Sequence, residues 1–528
     1  MANAENKIME ALDYQLEDKI LEAQKVRPEK IFIKVNPDVH KDALKILLQE
    51  DENAGISAIT GVDLKDNIEL MYHVRTRGTI VTVRTEVCKE NATIESITDL
   101  IPGADFHERE TADLFGVTFR GHPNPARLIL PENWPGNLFP LRKDAEIENI
   151  HSKLENVAVS GENRSSDDGK LVNIIVGPQH PALIEPEKFS LRVDGEIVKE
   201  VIPRIGYVHR GVEKATEKRT YLQNIYLVER ICGICNACHA TCFCQTVESI
   251  MGTESPARAK YLRTIVLELN RIQSHMLLLG HAGLEIGFES LFQYLWRDRE
   301  SAMDMMELLT GNRVIASFIT IGGVRRDLKG GDIPKIKTGL TALKERLDFY
   351  KELLETDSTL KMRMRNVGIL RKDDALKLCV VGPVARASGV EIDVRKDDPY
   401  AAYGEIPFKI VTRNEGDSWA RLMIRLDEIS ESIDIMNFAL ENLPKGPYRV
   451  RVPRIVPAGE ALGRAEAPRG ELFYYVKSNG TAYPERVKVR TPTFSNILSF
   501  VKIAKGGNIA DVPASFVSLD PCFSCTDR

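Results

Sequence analysis

The feature that most constrains this chain is a pair of short cysteine motifs far apart in sequence. Residues 229–239 read Glu-Arg-Ile-Cys-Gly-Ile-Cys-Asn-Ala-Cys-His, which sets a Cys-x-x-Cys pair at Cys232 and Cys235. A second pair, Cys522 and Cys525, lies in the closing stretch Leu519-Asp520-Pro521-Cys522-Phe523-Ser524-Cys525-Thr526-Asp527-Arg528. A two-residue spacer lets both sulfurs turn onto one metal, so two such pairs point to a four-thiolate site. The intervening chain must then fold so that residue 235 meets residue 525.

The remaining cysteine usage agrees with metal binding. Of nine cysteines, five lie between 232 and 244 and two near the C-terminus, leaving Cys88 and Cys379 alone. The N-terminal stretch MANAENKIMEALDYQLEDK is acidic and lacks a signal peptide's basic start and apolar centre. Clustered thiols without such a signal predict a reduced, cytoplasmic protein. No apolar run approaches the roughly 18–20 residues that span a bilayer. A net charge of −5 over 528 residues implies no polyanion partner, and no basic–aromatic patch for nucleic acid is present.

Residues 1–150 read as a small α/β unit. A helical opening precedes a strand at 30–35, a helix over 41–48, and strands at 67–75 and 79–86 joined at Thr76-Arg77-Gly78. The polar stretch 151–170 reads as a linker. Residues 171–528 open with a strand at 172–176 and a hairpin over 189–203 turning at Asp194-Gly195, then become mainly helical from about 206. The clearest helix is expected to take Ser255 as N-cap and Pro256 as its first residue. Leu262, Ile265, Val266, Leu269, Ile272 and Met276 would form its apolar face. Long helices are expected at 336–356 and 419–443, and strands across 448–490 with an Asn479-Gly480 turn. The fold class is therefore α+β, a small α/β domain followed by a mainly helical one with a peripheral β-sheet.

On spacing alone, two Cys-x-x-Cys pairs suit structural zinc or an iron–sulfur site. The flanking residues narrow this. Arg230-x-Cys232-Gly-x-Cys235-x-x-x-His239, with Asp520-Pro521-Cys522-x-x-Cys525-x-x-Arg528, resembles the paired signatures of nickel–iron hydrogenase large subunits. That family's usual C-terminal histidine is an arginine here, as in its membrane-bound, complex I-related, energy-converting branch. Gly177-Pro178-Gln179-His180-Pro181, His209-Arg210-Gly211-Val212-Glu213, Gly382-Pro383-x-x-Arg386-Ala387-Ser388-Gly389 and Glu466-Ala467-Pro468-Arg469-Gly470 are similar to that branch as well. In the first unit, Glu108-Arg109-Glu110-Thr111-Ala112-Asp113-Leu114-Phe115-Gly116, Gly121-His122-Pro123 and Leu141-Arg142-Lys143-Asp144 resemble the 30-kDa subunit of complex I.

The resemblance implies a nickel–iron centre, its iron carrying carbonyl and cyanide, that splits or forms the hydrogen–hydrogen bond. By position, Cys232 and Cys522 would be terminal nickel ligands, and Cys235 and Cys525 would bridge nickel to iron. Thiolates are soft donors that suit both metals. Arg469 would set a permanent cation over the iron's polar ligands, and it or a terminal thiolate such as Cys522 would be the base. Pro468 and Thr493 would touch the cyanides. His239, four residues after Cys235, would share that thiol's helix face and bond a sulfur. Glu185 is the candidate first carboxylate of a proton path. Glu213 has two candidate jobs: securing the chain end with Arg528, or lining a small site for an ion such as Mg2+. Cys238, Cys242 and Cys244 are read as core packing. Glu108, Glu110 and His122 are read as docking groups between subunits.

No further cluster motif is visible, so electrons would arrive through a small subunit that holds a 4Fe–4S cluster. Ferredoxin-like subunits, integral membrane ion-translocating subunits and maturation factors complete the implied partners, with this chain peripheral on the cytoplasmic side of the membrane. Formate is the first expected electron source and ferredoxin the second. Ending at Arg528, the chain is expected to be either a processed form or one never extended. Two rivals remain open. A complex I-type quinone oxidoreductase subunit shares the scaffold but lacks the four thiols, and a non-catalytic scaffold would bind structural zinc through them.

Overall fold

The computed structural model describes residues 2–16, 19–27, 30–154 and 171–528. Its first part holds helix α1 (Ala2–Leu16), strands β1 (Ile20–Arg27) and β2 (Lys30–Val35), helix α2 (His40–Gln49), strands β3 (Gly55–Asp63), β4 (Asn67–Thr76) and β5 (Thr79–Cys88), and helix α3 (Asp105–Phe115). The five strands form one sheet in the order β1-β2-β5-β4-β3, with β2 parallel to β5. The β4–β5 hairpin closes through Arg77 and Gly78, both at positive φ (49° and 76°), the backbone a two-residue turn needs. Ile8, Leu12, Leu44 and Leu47 of the two helices cover one face of this sheet.

Helix α4 (Ile147–Leu154) enters the stretch expected to be linker. Ile147, Ile150 and Leu154 recur at helical spacing, so residues 151–154 belong to the helix. The rest of that stretch, 155–170, lies outside the described residues.

The second part opens with β6 (Val172–Val176), β7 (Lys188–Asp194) and β8 (Ile197–Arg204), a sheet in the order β8-β7-β6. Asp194 pairs with Ile197, so the hairpin turns over Gly195-Glu196, one residue later than expected. Five long helices follow: α5 (Asn236–Met251), α6 (Ala257–Glu285), α7 (Glu289–Thr310), α8 (Ile333–Thr356) and α9 (Ser418–Glu441). Helix α6 is central, packed against α7 and α9.

The expected apolar face of α6 is buried, from Leu262 to Met276. Its start differs by one residue. Pro256 is the N-cap, while the Ser255 hydroxyl donates to Glu248 (3.1 Å) and is not free to cap. The polar face of α6 is buried too, because every charge there has a partner. Arg271 and Arg395 meet Glu268 at 3.2 Å, His275 meets Glu428 at 2.9 Å, and Arg386 bridges Glu428 and Glu466 at 2.7 and 2.8 Å. Removing one partner from such a pair costs about 3–5 kcal/mol, which fixes the register of the core.

Strands β9 (Gly459–Ala467), β10 (Gly470–Ser478) and β11 (Pro484–Arg490) form a sheet in that order, followed by α10 (Pro492–Ala504) and the short α11 (Phe523–Asp527). The expected strand character of 448–458 is reduced to one bridge between Arg449 and Gly323. Pro453 and Pro457 remove ladder donors there. This sheet joins the two parts of the molecule: Leu462, Phe473 and Tyr475 pack on Phe32, Met71 and Ile80. Arg486 and Arg490 of β11 add hydrogen bonds to the carbonyls of Gly61 and Ser57 on β3.

Candidate metal centre

The fold brings the two cysteine pairs together. Cys235 is the N-cap of α5 and Cys522 that of α11, so each motif sits where a loop turns into a helix. Cys522 Sγ lies 3.5 Å from Cys232 Sγ, and Cys235 Sγ lies 3.4 Å from Cys525 Sγ. Each contact therefore joins one thiol from each motif, and all four are buried. The backbone N–H groups of Ile234 and Cys235 point at Cys232 Sγ (3.3 and 3.5 Å). Hydrogen bonds from the neighbouring thiols lower the Cys232 pKa, while the same crowding pushes Cys235, Cys522 and Cys525 up. Four thiols so arranged ionise together only around a cation.

Arg469 supplies the second half of the fit. Ala467 pairs with Gly470, so Pro468 and Arg469 form the two-residue turn between β9 and β10. Both are buried. Arg469 donates from Nε to the Asp520 carbonyl (2.8 Å) and pairs through Nη2 with the Asp520 carboxylate (2.7 Å). Nη1 is buried without a protein partner. Burial alone would lower the Arg469 pKa, but Asp520 and the sulfurs of Cys522, Cys232 and Cys235 raise it well above the ordinary value. A permanent cation near the thiols, with one nitrogen left unsatisfied, suits a metal group with polar exterior ligands. Two of the sequence signatures meet beneath it: a Cβ on Gly382, at φ 69°, would lie 2.4 Å from the Arg469 carbonyl.

The other expected residues fall as follows. Thr493 Oγ1 accepts from the Cys522 backbone N–H (3.2 Å), so it holds the thiol's loop. His239 is fully buried between Tyr474 Oη (2.7 Å from Nδ1) and Cys525 Sγ (3.7 Å from Nε2). Burial pushes its pKa down to about 4 and that of Tyr474 well up, so the ring is neutral and the phenol protonated. The phenol then donates to Nδ1, leaving Nε2–H directed at the sulfur. Glu185 accepts from the Ser524 backbone N–H (2.7 Å) and hydroxyl, between the two thiols of the second motif.

Glu213 takes the first of its two candidate jobs. Arg528 Nε lies 3.3 Å away, Arg486 at 2.7 Å and Lys488 at 3.7 Å. Three cations already surround this carboxylate, so a Mg2+ ion beside it would meet repulsion and that reading is dropped. Docking roles for Glu108, Glu110 and His122 are also corrected. The Glu108 carboxylate is buried on the Ile97 N–H (2.8 Å) and Ser96 hydroxyl (2.7 Å), and the His122 side chain is 2% exposed. Glu110 is buried against Lys488 and Arg528 of the same chain. Cys238, Cys242 and Cys244 are fully buried on α5, and burial raises each thiol pKa, as core packing requires. Tyr474 and Asp520 are site residues that motif reading did not assign. Asp520 stands in the second motif, whereas nothing local marks Tyr474.

Comparisons with known proteins agree with the order of these parts. Residues 33–150 match the family "Respiratory-chain NADH dehydrogenase, 30 Kd subunit". Residues 285–456 and 454–528 match the corresponding 49 Kd subunit family, and 210–283 match "Nickel-dependent hydrogenase". The C/D protein of NADH-quinone oxidoreductase from Phocaeicola vulgatus is 34% identical over 515 residues, covering 93% of this chain and 98% of that protein. The chain belongs to the complex I and nickel–iron hydrogenase large-subunit family, in its fused 30-kDa/49-kDa form. Formate hydrogenlyase subunit 5 of Escherichia coli is 37% identical over 452 residues, 85% of this chain and 79% of that one. The D protein of F(420)H(2) dehydrogenase from Methanosarcina mazei is 40% identical over 361 residues, 67% of this chain and 96% of that one. Among solved structures, the membrane-bound sulfane sulfur reductase, an archaeal respiratory membrane complex, aligns at a TM-score of 0.66 with 34% identity. That match covers 68% of this chain and 99% of the other. Among the described residues of this family member, no helix is long and apolar enough to cross a membrane.

Proposed function

We propose that this chain is the catalytic subunit of an energy-converting nickel–iron hydrogenase, interconverting protons and electrons with dihydrogen. The observation that carries the reading is the convergence of Cys232, Cys235, Cys522 and Cys525 near the guanidinium of Arg469, whose Nη1 has no protein partner. Cys232, Cys235, Cys522 and Cys525 would hold the nickel–iron group through their sulfurs. When bound, the nickel–iron pair would supply heterolytic chemistry at the hydrogen–hydrogen bond and a store for electrons.

The chain's own residues do the rest. Arg469 would orient the diatomic ligands of the iron, and Pro468 and Thr493 would contact them. His239 donates to Cys525 and so moderates that sulfur's basicity. The Cys522 thiolate would take the proton released at the site, because Arg469 is held as a cation by Asp520 and the neighbouring sulfurs and so cannot accept it. Glu185, bonded at Ser524 two residues on from Cys522, passes it outward.

In this reading residues 1–150 and 171–528 act as two domains joined through 151–170. Electrons come from a small subunit with a 4Fe–4S cluster, derived from formate or ferredoxin. Ferredoxin-like subunits, ion-translocating membrane subunits and maturation factors complete the assembly on the cytoplasmic side of the membrane. The similarity to formate hydrogenlyase subunit 5 supports this order of parts. A quinone oxidoreductase subunit is the second reading, favoured by the near full-length match to the C/D protein. Hydrogen–deuterium exchange by the purified complex, with its nickel content, separates the two. Exchange with nickel present supports the hydrogenase, and quinone reduction without nickel supports the rival.

A further inference from the structure

A carboxylate of the first part of the chain reaches the last residue of the second. Glu110, on α3, pairs with Nη2 of Arg528 and with Lys488 of β11. Arg528 also faces Glu213, which Arg486 closes from the other side. These five residues are each at most 5% exposed, two acids among three bases. Arg528 in turn bonds the Thr526 carbonyl through Nη1 (2.7 Å) and lies 4.9 Å over the Phe494 ring of α10.

This arrangement matters because α11 is only five residues long, too short to hold itself as a helix. Its position depends on what grips its ends. Glu185 grips the start at Ser524, and Arg528 grips the finish. Between them sits Cys525, with Cys522 at the entrance. If Glu110 lost its charge, three buried cations would share one carboxylate, and the repulsion would fall on Arg528.

We propose that Glu110 is a positioning residue of the thiol site: the first part of the chain, through this carboxylate, fixes Arg528 and so aligns Cys522 and Cys525 with their partners. The inference rests on the reading of the four thiols as metal ligands.

The test uses the full chain produced without nickel. Alkylation rates of individual cysteines are followed by peptide mass spectrometry. Glu110→Gln is expected to speed modification of Cys522 and Cys525 by at least about tenfold, through easier local opening, and to leave Cys238 and Cys244 protected. Glu110→Asp should return part of the protection. Arg528→Lys, which gives up the guanidinium fork, reads the same contact from the other end and should fall between. Arg84→Met breaks a different ion pair between the two parts, with Glu460, and should match the unaltered chain. In the nickel-loaded complex, Glu110→Gln should lower nickel content several-fold. Wild-type alkylation rates in Glu110→Gln, or an equal rise in Arg84→Met, would overturn the proposal. Zinc in the unaltered protein would defeat the hydrogenase reading but leave this result standing, because the thiols are probed without metal.

Discussion

Arg469 and Asp520 are joined twice, from Nε to the carbonyl and from Nη2 to the carboxylate, so the guanidinium plane is fixed relative to the loop that carries Cys522. The third nitrogen, Nη1, is left buried and unbonded, on a guanidinium whose charge the sulfurs of Cys522, Cys232 and Cys235 stabilise. A side chain held this firmly with one donor free is built for a group it does not itself contain.

Arg469→Lys should therefore keep the charge and lose the geometry. Losing one preorganised donor typically costs about 10²–10³ in rate. We expect hydrogen–deuterium exchange to fall by about that factor with nickel content retained. Full exchange in the lysine variant would take Arg469 out of the site.

Glu185→Gln keeps both contacts to Ser524 within reach but cannot carry a proton at neutral pH. A drop of about 10²–10⁴ in exchange is expected, with the infrared bands of the metal ligands unmoved. Shifted bands with intact exchange would show a structural contact and no proton path.

Tyr474→Phe removes the hydroxyl that sets the His239 tautomer, leaving Nε2–H free to leave the Cys525 sulfur. Losses of about 10–100-fold in activity or metal affinity are usual for such outer contacts. A changed reduction potential should accompany the loss. An unchanged potential would make His239 a packing residue.

Acid sensitivity has a specific source in His73. It sits between the Thr60 and Thr82 hydroxyls (2.9 Å each), with its ring 4.8 Å from that of Phe473 and tilted by 42°, where the two parts of the molecule meet. Burial, then the charges of Arg84, Lys488 and Arg490, lower its pKa from 6.5 to about 3. The unfolded chain therefore binds this proton first as pH falls. Stability is complete above pH 6.5 and declines toward pH 3, by up to about 1.4 kcal/mol per pH unit. His73→Gln, which can keep the threonine bonds, should flatten that decline in melting temperature. Equal slopes in the two proteins would place the sensitivity elsewhere.

Much of the site could be read from sequence because its chemistry is carried by short spacings: Cys232 to Cys235, Cys522 to Cys525, and Pro468-Arg469 in a two-residue turn. What stayed hidden is non-local. Tyr474 reaches His239 across 235 residues of sequence from the middle of a buried strand. Strand β3 is buried along its whole length, so it lacks the alternation that marks a half-exposed strand. Helix α6 showed one apolar stripe, yet Glu268, Arg271 and His275 on its other face are buried by pairing with Arg395, Arg386's partner Glu428, and their neighbours. Glu110 looked like a surface group because charged residues usually are, and only the fold gives it Lys488 and Arg528 as partners.

The most direct measurement is the metal content of the purified complex together with infrared absorption in the carbonyl and cyanide stretching region. Equal nickel and iron at this site, after allowing for cluster iron in partner subunits, with those bands present, is the result predicted here. Zinc alone, or no metal and no bands in a fully assembled complex, would contradict it and leave the four thiols structural.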